Sequence, residues 1–256
     1  MTEYLKVFHD IGIEIKEMLQ SSRWKQEMSE EVGIGASGFP TRMADRLAED
    51  IIIKHVEDND LPLNIISEER GIIQRGYKRN LVVDPVDGTF NLVRNIPLYA
   101  VSMALAYEDI SSIDESYIMN LANGDWYHST TGNGLTVNGR KRPVQAKRSG
   151  TYLVHLSSGL DRRSLLIISQ SRKFRYLGCA ALELAMVASG SADVSAHLGR
   201  SAPLRNIDVA AGIHMVREMG GSVVDGHGEQ FNLGMDPRER KNLIAVYTPS
   251  LLDVLL

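Results

Sequence analysis

The sequence is poor in cysteine: Cys179 is the only one in 256 residues. One thiol cannot close an internal disulfide or build a cysteine zinc cluster, which points to a reducing compartment. Long apolar runs are missing as well. The best, Leu98 to Ala106, is about half of the ~18–20 residues that a bilayer span needs. Charge of one sign is scarce, with 28 Lys and Arg against 32 Asp and Glu, a net −4, and no long block of either. A nucleic-acid binder normally carries a basic excess, so that class is set aside. The opening MTEYLKVFHD is acidic and amphipathic rather than basic then apolar, so no signal peptide is expected. The seven histidines (9, 55, 128, 155, 197, 214, 227) show no metal-ligand spacing. A chain of this length buries a core without staples. The expectation is a cytoplasmic globular protein with no membrane partner.

What is present is ordered in blocks. Tyr4, Leu5, Phe8, Ile11, Ile15 and Leu19 recur near a 3.6-residue period and predict a first helix. Gly33-Ile-Gly-Ala-Ser-Gly38 interrupts the pattern. It fits G-x-G-x-x-G literally but follows a polar acidic stretch instead of a strand, so it reads as a flexible loop and a lid over a site. A second helix follows Pro40-Thr41. Short apolar runs at Leu63–Ile66 and Leu81–Val83 predict buried strands, each running straight into acids. Strands then succeed one another from Tyr99 to about Leu156, with turn signals at Asn123-Gly124, Gly132-Asn-Gly134 and Asn138-Gly139. After Gly150, strands and helices alternate. The division expected is an N-terminal α+β half over 1–150 and a C-terminal α/β half over 151–256.

The strongest local signal is Asp84-Pro-Val-Asp-Gly-Thr89. Pro85 ends the strand, leaving Asp84 at its C-terminal edge, and Gly88 permits the tight backbone that returns Asp87 toward Asp84. Two carboxylates that close repel unless a cation lies between them, and oxygen-only ligands favour a hard ion such as Mg²⁺. Gly88 and Thr89 open a short helix whose free N–H groups suit a phosphate oxygen. The same residues also make an ordinary turn, so the other acids matter. Ser67-Glu68-Glu69 repeats the layout of a strand feeding carboxylates at its end, and neighbouring strands would bring Glu68 to Asp84. Asp208 falls in the first turn of a helix over Ile207–Met219, with Asn206 as its cap. Thr41 and Asp45, at i and i+4, would share a helix face toward one cleft.

In this order the blocks resemble the inositol monophosphatase family of Mg²⁺-dependent, lithium-sensitive phosphatases. They are Thr41–Asp45, Ser67-Glu68-Glu69, Val83–Asn91, and Ile207–Gly212 with Glu218–Gly221. Gly132–Gly139 and Arg175–Glu183 support the match. The resemblance implies a layered α/β/α/β/α sandwich of the α+β class, with the active site in a cleft between the two halves. It implies one Mg²⁺ on Glu68, Asp84 and the Val86 carbonyl, and a second on Asp84, Asp87 and Asp208. Glu69 would hold a third, more weakly bound ion through water. Gly88 and Thr89 would bind phosphate, Thr89 with Asp45 would orient the attacking water, and Ala180 would line the substrate pocket.

Two features depart from the family pattern. The Gly33–Gly38 stretch lacks the usual lysine, and Leu204-Arg-Asn-Ile-Asp208 replaces the usual Trp-Asp. The Arg-bearing approach to Asp208 is closer to archaeal enzymes of the family, many of which also hydrolyse fructose 1,6-bisphosphate. Arg175, Arg200 and Arg205 are therefore candidates for a second phosphate or sugar hydroxyls. The expected reaction is hydrolysis of inositol 1-phosphate by a homodimer holding two or three Mg²⁺ ions. The alternatives are a fructose-1,6-bisphosphatase, sole or dual, and a 3′(2′),5′-bisphosphate nucleotidase. A non-catalytic binding protein on the same fold is the reading from another class.

Overall fold

The computed structural model describes residues 3–21, 29–36, 40–144, 149–156, 161–199 and 203–256. The chain begins with α1 (Glu3–Gln20), a hairpin of β1 (Glu31–Ile34) and β2 (Pro40–Arg42), and α2 (Met43–Asp58). Next come β3 (Leu63–Ser67), β4 (Gly71–Ile73), β5 (Arg79–Asp87), α3 (Thr89–Val93) and β6 (Ala100–Ala106). A meander follows through β7 (Glu115–Asn120), β8 (Trp126–Thr130), β9 (Leu135–Val137) and β10 (Arg140–Lys141). The remainder is β11 (Thr151–Val154), α4 (Arg162–Ser169), β12 (Lys173–Arg175), α5 (Ala180–Ala188), β13 (Val194–His197), α6 (Asn206–Glu218), β14 (Ser222–Asp225), β15 (Leu243–Val246) and α7 (Leu252–Leu255).

Strands β3 to β10 form one sheet in the order β10-β9-β8-β7-β6-β5-β3-β4. Strands β11 to β15 form a second, in the order β12-β11-β13-β15-β14. The period-two alternation of side chains sorts the first sheet into two different faces. Leu81 and Val83 of β5 and Val101, Met103 and Leu105 of β6 pack under α1 and α2. Val82, Ala100, Ala104 and Ala106 face the other way, toward α5 and α6. The alanines keep that face flat, which lets α6 lie close to the sheet. A Cβ added at Gly212 would come within 2.4 Å of the Leu184 side chain, so glycine also sets the α5–α6 approach. The far face of the second sheet is covered by α4, by α7 and by the helical turn Pro249–Leu251 before it, through Ile167, Leu255 and Leu251.

The order of layers is thus helix, sheet, helix, sheet, helix, the sandwich expected of the α+β class. The helix over 4–19, the second helix and, among the described residues, the strand run from Tyr99 to Leu156 appear as read. At Asn138-Gly139 both residues take positive φ, 50° and 75°, as a tight hairpin turn requires. Four local expectations change, the first at Pro85, which does not end its strand: β5 continues to Asp87 across an irregularity between Asp84 and Asp87. Gly33 and Ile34 belong to the β1 strand rather than to a loop, while residues 37–39 lie outside the described set. Thr41 is in β2, so it does not share a helix face with Asp45, and α2 starts at Met43. The cap of α6 is Arg205, not Asn206, because the Asp208 carboxylate bonds back to the Arg205 N–H. Helix α4, capped by Asp161 accepting from the Arg163 N–H, had no expectation at all. Among the described residues no helix is long and apolar enough to cross a membrane.

Candidate active site

Strands β3 and β5 run parallel, with Ser67 opposite Val83. Both apolar segments therefore end at the same sheet edge, and one further residue along each brings Glu68 beside Asp84. The first turn of α6 supplies Asp208. Ligand atoms of Glu68, Asp84 and Asp208 lie within 4.8 Å of one another, a spacing at which the three carboxylates could hold a metal ion. All three offer oxygen, the donor set of a hard divalent cation. The electrostatics fit the same use. Asp84 is raised well above the ordinary carboxylate range, first by burial and then by the charges of Glu68, Asp87 and Asp208. Burial that penalises ionisation is relieved by a cation at the shared position.

Asp87 stands slightly apart from that group. Its Oδ2 accepts the Ala181 N–H at 2.6 Å and the Cys179 thiol at 3.2 Å, at the start of α5. Its pKa is pushed up to about 7, chiefly by burial, with Asp208 adding repulsion. Gly88 follows with φ 88°, and a Cβ there would stand 2.9 Å from the Leu98 carbonyl and 3.2 Å from that of Gly178. Only glycine fits this turn. Beyond it, Thr89 Oγ1 lies 3.0 Å from both Asp45 Oδ1 and the Val86 carbonyl, so its single hydrogen serves one of two acceptors. Asp45 is pushed up to about 7 by burial and then by the charge of Glu69. Glu69 accepts the Thr41 hydroxyl and is likewise raised to about 7, burial first. The described end of the Gly33–Gly38 stretch reaches this acid, since the Ala36 N–H bonds the Glu69 carbonyl at 2.8 Å.

A pocket of about 200 Å³ opens beside these acids, lined among others by Asp87, His155, Tyr176, Ala180, His197 and Asp208. The expected Ala180 wall is therefore in place. A cavity of about 280 Å³, lined by residues including Leu19, Leu92, Pro97 and Tyr99, offers no carboxylate or imidazole and shares no wall with it. Of the arginines, Arg205 lines the acidic pocket but is committed to Asp208 and Glu68. Arg175 is exposed on β12, donates to the Phe174 carbonyl, and does not line the pocket. Arg200 lies outside the described residues.

The chain belongs to the inositol monophosphatase family. That family's sequence profile matches residues 1–252. A Thermococcus kodakarensis fructose-1,6-bisphosphatase/inositol-1-monophosphatase is 33% identical over 243 residues, 95% of this chain and 92% of that protein. An inositol-1-monophosphatase from Mesorhizobium japonicum is 34% identical, over 78% of this chain and 77% of its own. A solved Pyrococcus horikoshii protein described as having similarities for inositol-1 monophosphatase superposes with a TM-score of 0.82. It is 30% identical and covers 98% of this chain and 97% of its own. The chain is thus a phosphoric monoester hydrolase, and its acidic cluster is of a kind that could hold metal.

Sequence reasoning passed over three contributors. Glu49, fully buried on α2 one turn past Asp45, accepts the Arg70 N–H at 3.0 Å and braces the turn that carries Glu68 and Glu69. Asn91 donates to the Leu98 and Leu177 carbonyls at 2.7 Å each, joining α3 to the segment before α5. Glu183 is fully buried; its Oε1 accepts the Leu177 and Gly178 N–H groups, and its Oε2 faces His197 Nε2 at 2.9 Å. The available signal for Glu183 was a single acid in the otherwise apolar helix AALELAMVA. An acid placed there needs a buried partner.

Proposed function

We propose that this enzyme hydrolyses small phosphate monoesters of polyols and sugars, with inositol 1-phosphate and fructose 1,6-bisphosphate both as substrates. The observation that carries the reading is the Glu68, Asp84 and Asp208 group at the joint edge of β3 and β5. In this reading Glu68, Asp84, Asp87, Asp208 and the Val86 carbonyl hold two Mg²⁺ ions, and Glu69 a third. Bound Mg²⁺ would supply charge neutralisation of the phosphate and activation of water. Gly88 and Thr89 would receive the phosphate on backbone N–H groups. Thr89 would fix the attacking water by its hydroxyl and pass hydrogen-bond polarity to Asp45, its partner at 3.0 Å. Ala180 leaves room for the polyol ring, and His155, Tyr176 and His197 meet the part of the substrate remote from the ester. The reading includes a homodimer.

The dual activity is favoured by relatives such as the Thermococcus enzyme, whose name carries both. Phosphate release should be measured from inositol 1-phosphate, fructose 1,6-bisphosphate and adenosine 3′,5′-bisphosphate, with Mg²⁺ and after chelation. Turnover of the first two, abolished by chelation and restored by Mg²⁺, is expected. Turnover that survives chelation would overturn the metal reading, and turnover of the nucleotide alone would overturn the substrate reading.

A further inference from the structure

Arg205 sits where a cation would be expected to sit. Its own N–H donates to Asp208 Oδ2 at 2.7 Å, its Nε to the same oxygen at 3.2 Å, and its Nη2 to Oδ1 at 2.8 Å. From the same guanidinium, Nη1 donates to Glu68 Oε1. One side chain thus spans two acids that come from separate elements, 137 positions apart in Glu68's case. The residue is 9% exposed, so these contacts are made largely out of water.

The local sequence gives this arginine no reason of its own. Arg205 is the N-cap of α6, where Ser, Thr, Asp and Asn are favoured. A positive charge at a helix N-terminus also opposes the helix dipole. What compensates is the acidic group. A guanidinium keeps its charge in proteins, and here it lies against the carboxylates of Asp208 and Glu68. The fork geometry matters as much as the charge, since it reaches both oxygens of Asp208 and one of Glu68 at once. Of the donors described, two fall on Asp208 Oδ2 and one on Oδ1. With two lone pairs per oxygen, Oδ1 keeps an acceptor direction for an incoming ion.

We propose that Arg205 is the resident counter-cation of the carboxylate cluster. It is a positioning residue that holds Asp208 and Glu68 together before any divalent ion arrives, and it then weakens the affinity of the ion that joins it. The inference rests on the metal reading above. Its two halves have opposite signs: removing the guanidinium should loosen the metal-free protein yet tighten ion binding, because a +2 ion would no longer share the pocket with a fixed +1.

The test compares the full-length wild type, Arg205→Met and Arg205→Lys after chelation, by thermal unfolding without metal and by calorimetric titration with Mg²⁺. Arg205→Met should unfold at least about 3 °C lower without metal and bind Mg²⁺ roughly tenfold more tightly. Arg205→Lys keeps the charge without the fork, so its Mg²⁺ affinity should stay within about twofold of wild type while its metal-free unfolding temperature drops. Equal or weaker Mg²⁺ binding by Arg205→Met, beside a wild type that binds, would overturn the inference alone. So would a tenfold tightening in Arg205→Lys, which does not depend on the methionine variant folding. A wild type that binds no Mg²⁺ at all would overturn the metal reading, and this inference with it.

Discussion

Asp87 Oδ2 accepts the backbone N–H of Ala181 at 2.6 Å, tying the end of β5 to the first turn of α5. An acid there has two tasks that substitution can separate, one of charge and one of hydrogen bonding. Asp87→Asn keeps an oxygen for the Ala181 N–H and removes the charge. It should lower phosphatase turnover by roughly 10²–10³-fold. Without metal it should leave the unfolding temperature unchanged or higher, since a buried repulsion with Asp208 is gone. Steady-state kinetics and thermal unfolding on one preparation decide it. Retention of more than about a tenth of the turnover would take Asp87 out of the reaction.

The acids also predict how the metal-free protein responds to pH. Asp45, Glu69 and Asp87 are each raised to about 7, with burial the first cause in every case. Unfolded, they titrate near 4. Between those values the folded chain holds protons that the unfolded chain has released. Their stabilising contribution is therefore complete below about pH 4 and is lost as pH rises through about 7. His214 works the other way. Burial lowers it to about 4, and it stays neutral against Ser116 while the unfolded imidazole takes a proton, so stability gains as pH rises over that window. Three groups outweigh one. Calorimetry in chelator should show the unfolding temperature falling from about pH 5 to about pH 8, and Mg²⁺ should flatten that slope by holding the acids ionised. A metal-free unfolding temperature that climbs across the same range would contradict the raised acids.

The imidazoles of His155 and His197 stack at 5.5 Å on the wall of the acidic pocket, and Tyr176 meets His155 edge-on at 4.9 Å. Under the proposed substrate reading this wall meets the part of the molecule that differs between an inositol ring and a phosphorylated sugar. His197→Ala should change the ratio of kcat/KM for fructose 1,6-bisphosphate over inositol 1-phosphate by roughly tenfold. Arg175→Ala, altering an exposed side chain off the pocket, should leave the ratio as it is. A changed ratio in Arg175→Ala with none in His197→Ala would move the specificity surface to β12.

Features set by neighbouring residues were legible in the sequence; those set by approach across the fold were not. Asp84-Pro-Val-Asp-Gly carries its own turn, because Gly88 acts on its own backbone, but Pro85 bulges β5 instead of ending it, and the strand runs on to Asp87. Two apolar runs each ending in acids suffice to place Glu68 beside Asp84 once they pair in parallel. The layer order is implied by the family resemblance that these blocks carry, not by the pattern of helices and strands alone. By contrast, the Arg205–Glu68 and Glu183–His197 contacts depend on how α5, α6 and β13 stack, which no local spacing encodes. Helix α4 escaped notice because Leu165–Ile168 is a short apolar run, readable as strand or helix until Asp161 is seen to cap it.

The parallel register of β3 on β5 has one more effect. Sliding β3 by a single residue would turn Leu63 and Ile65 off the face under α1 and α2, and in the same movement carry Glu68 away from Asp84. Core and acid pair are therefore two readouts of one alignment, on opposite sides of the same strand end. Any ligand that needs Glu68 beside Asp84 rewards the correct pairing and no other, so the site proofreads the sheet that builds it.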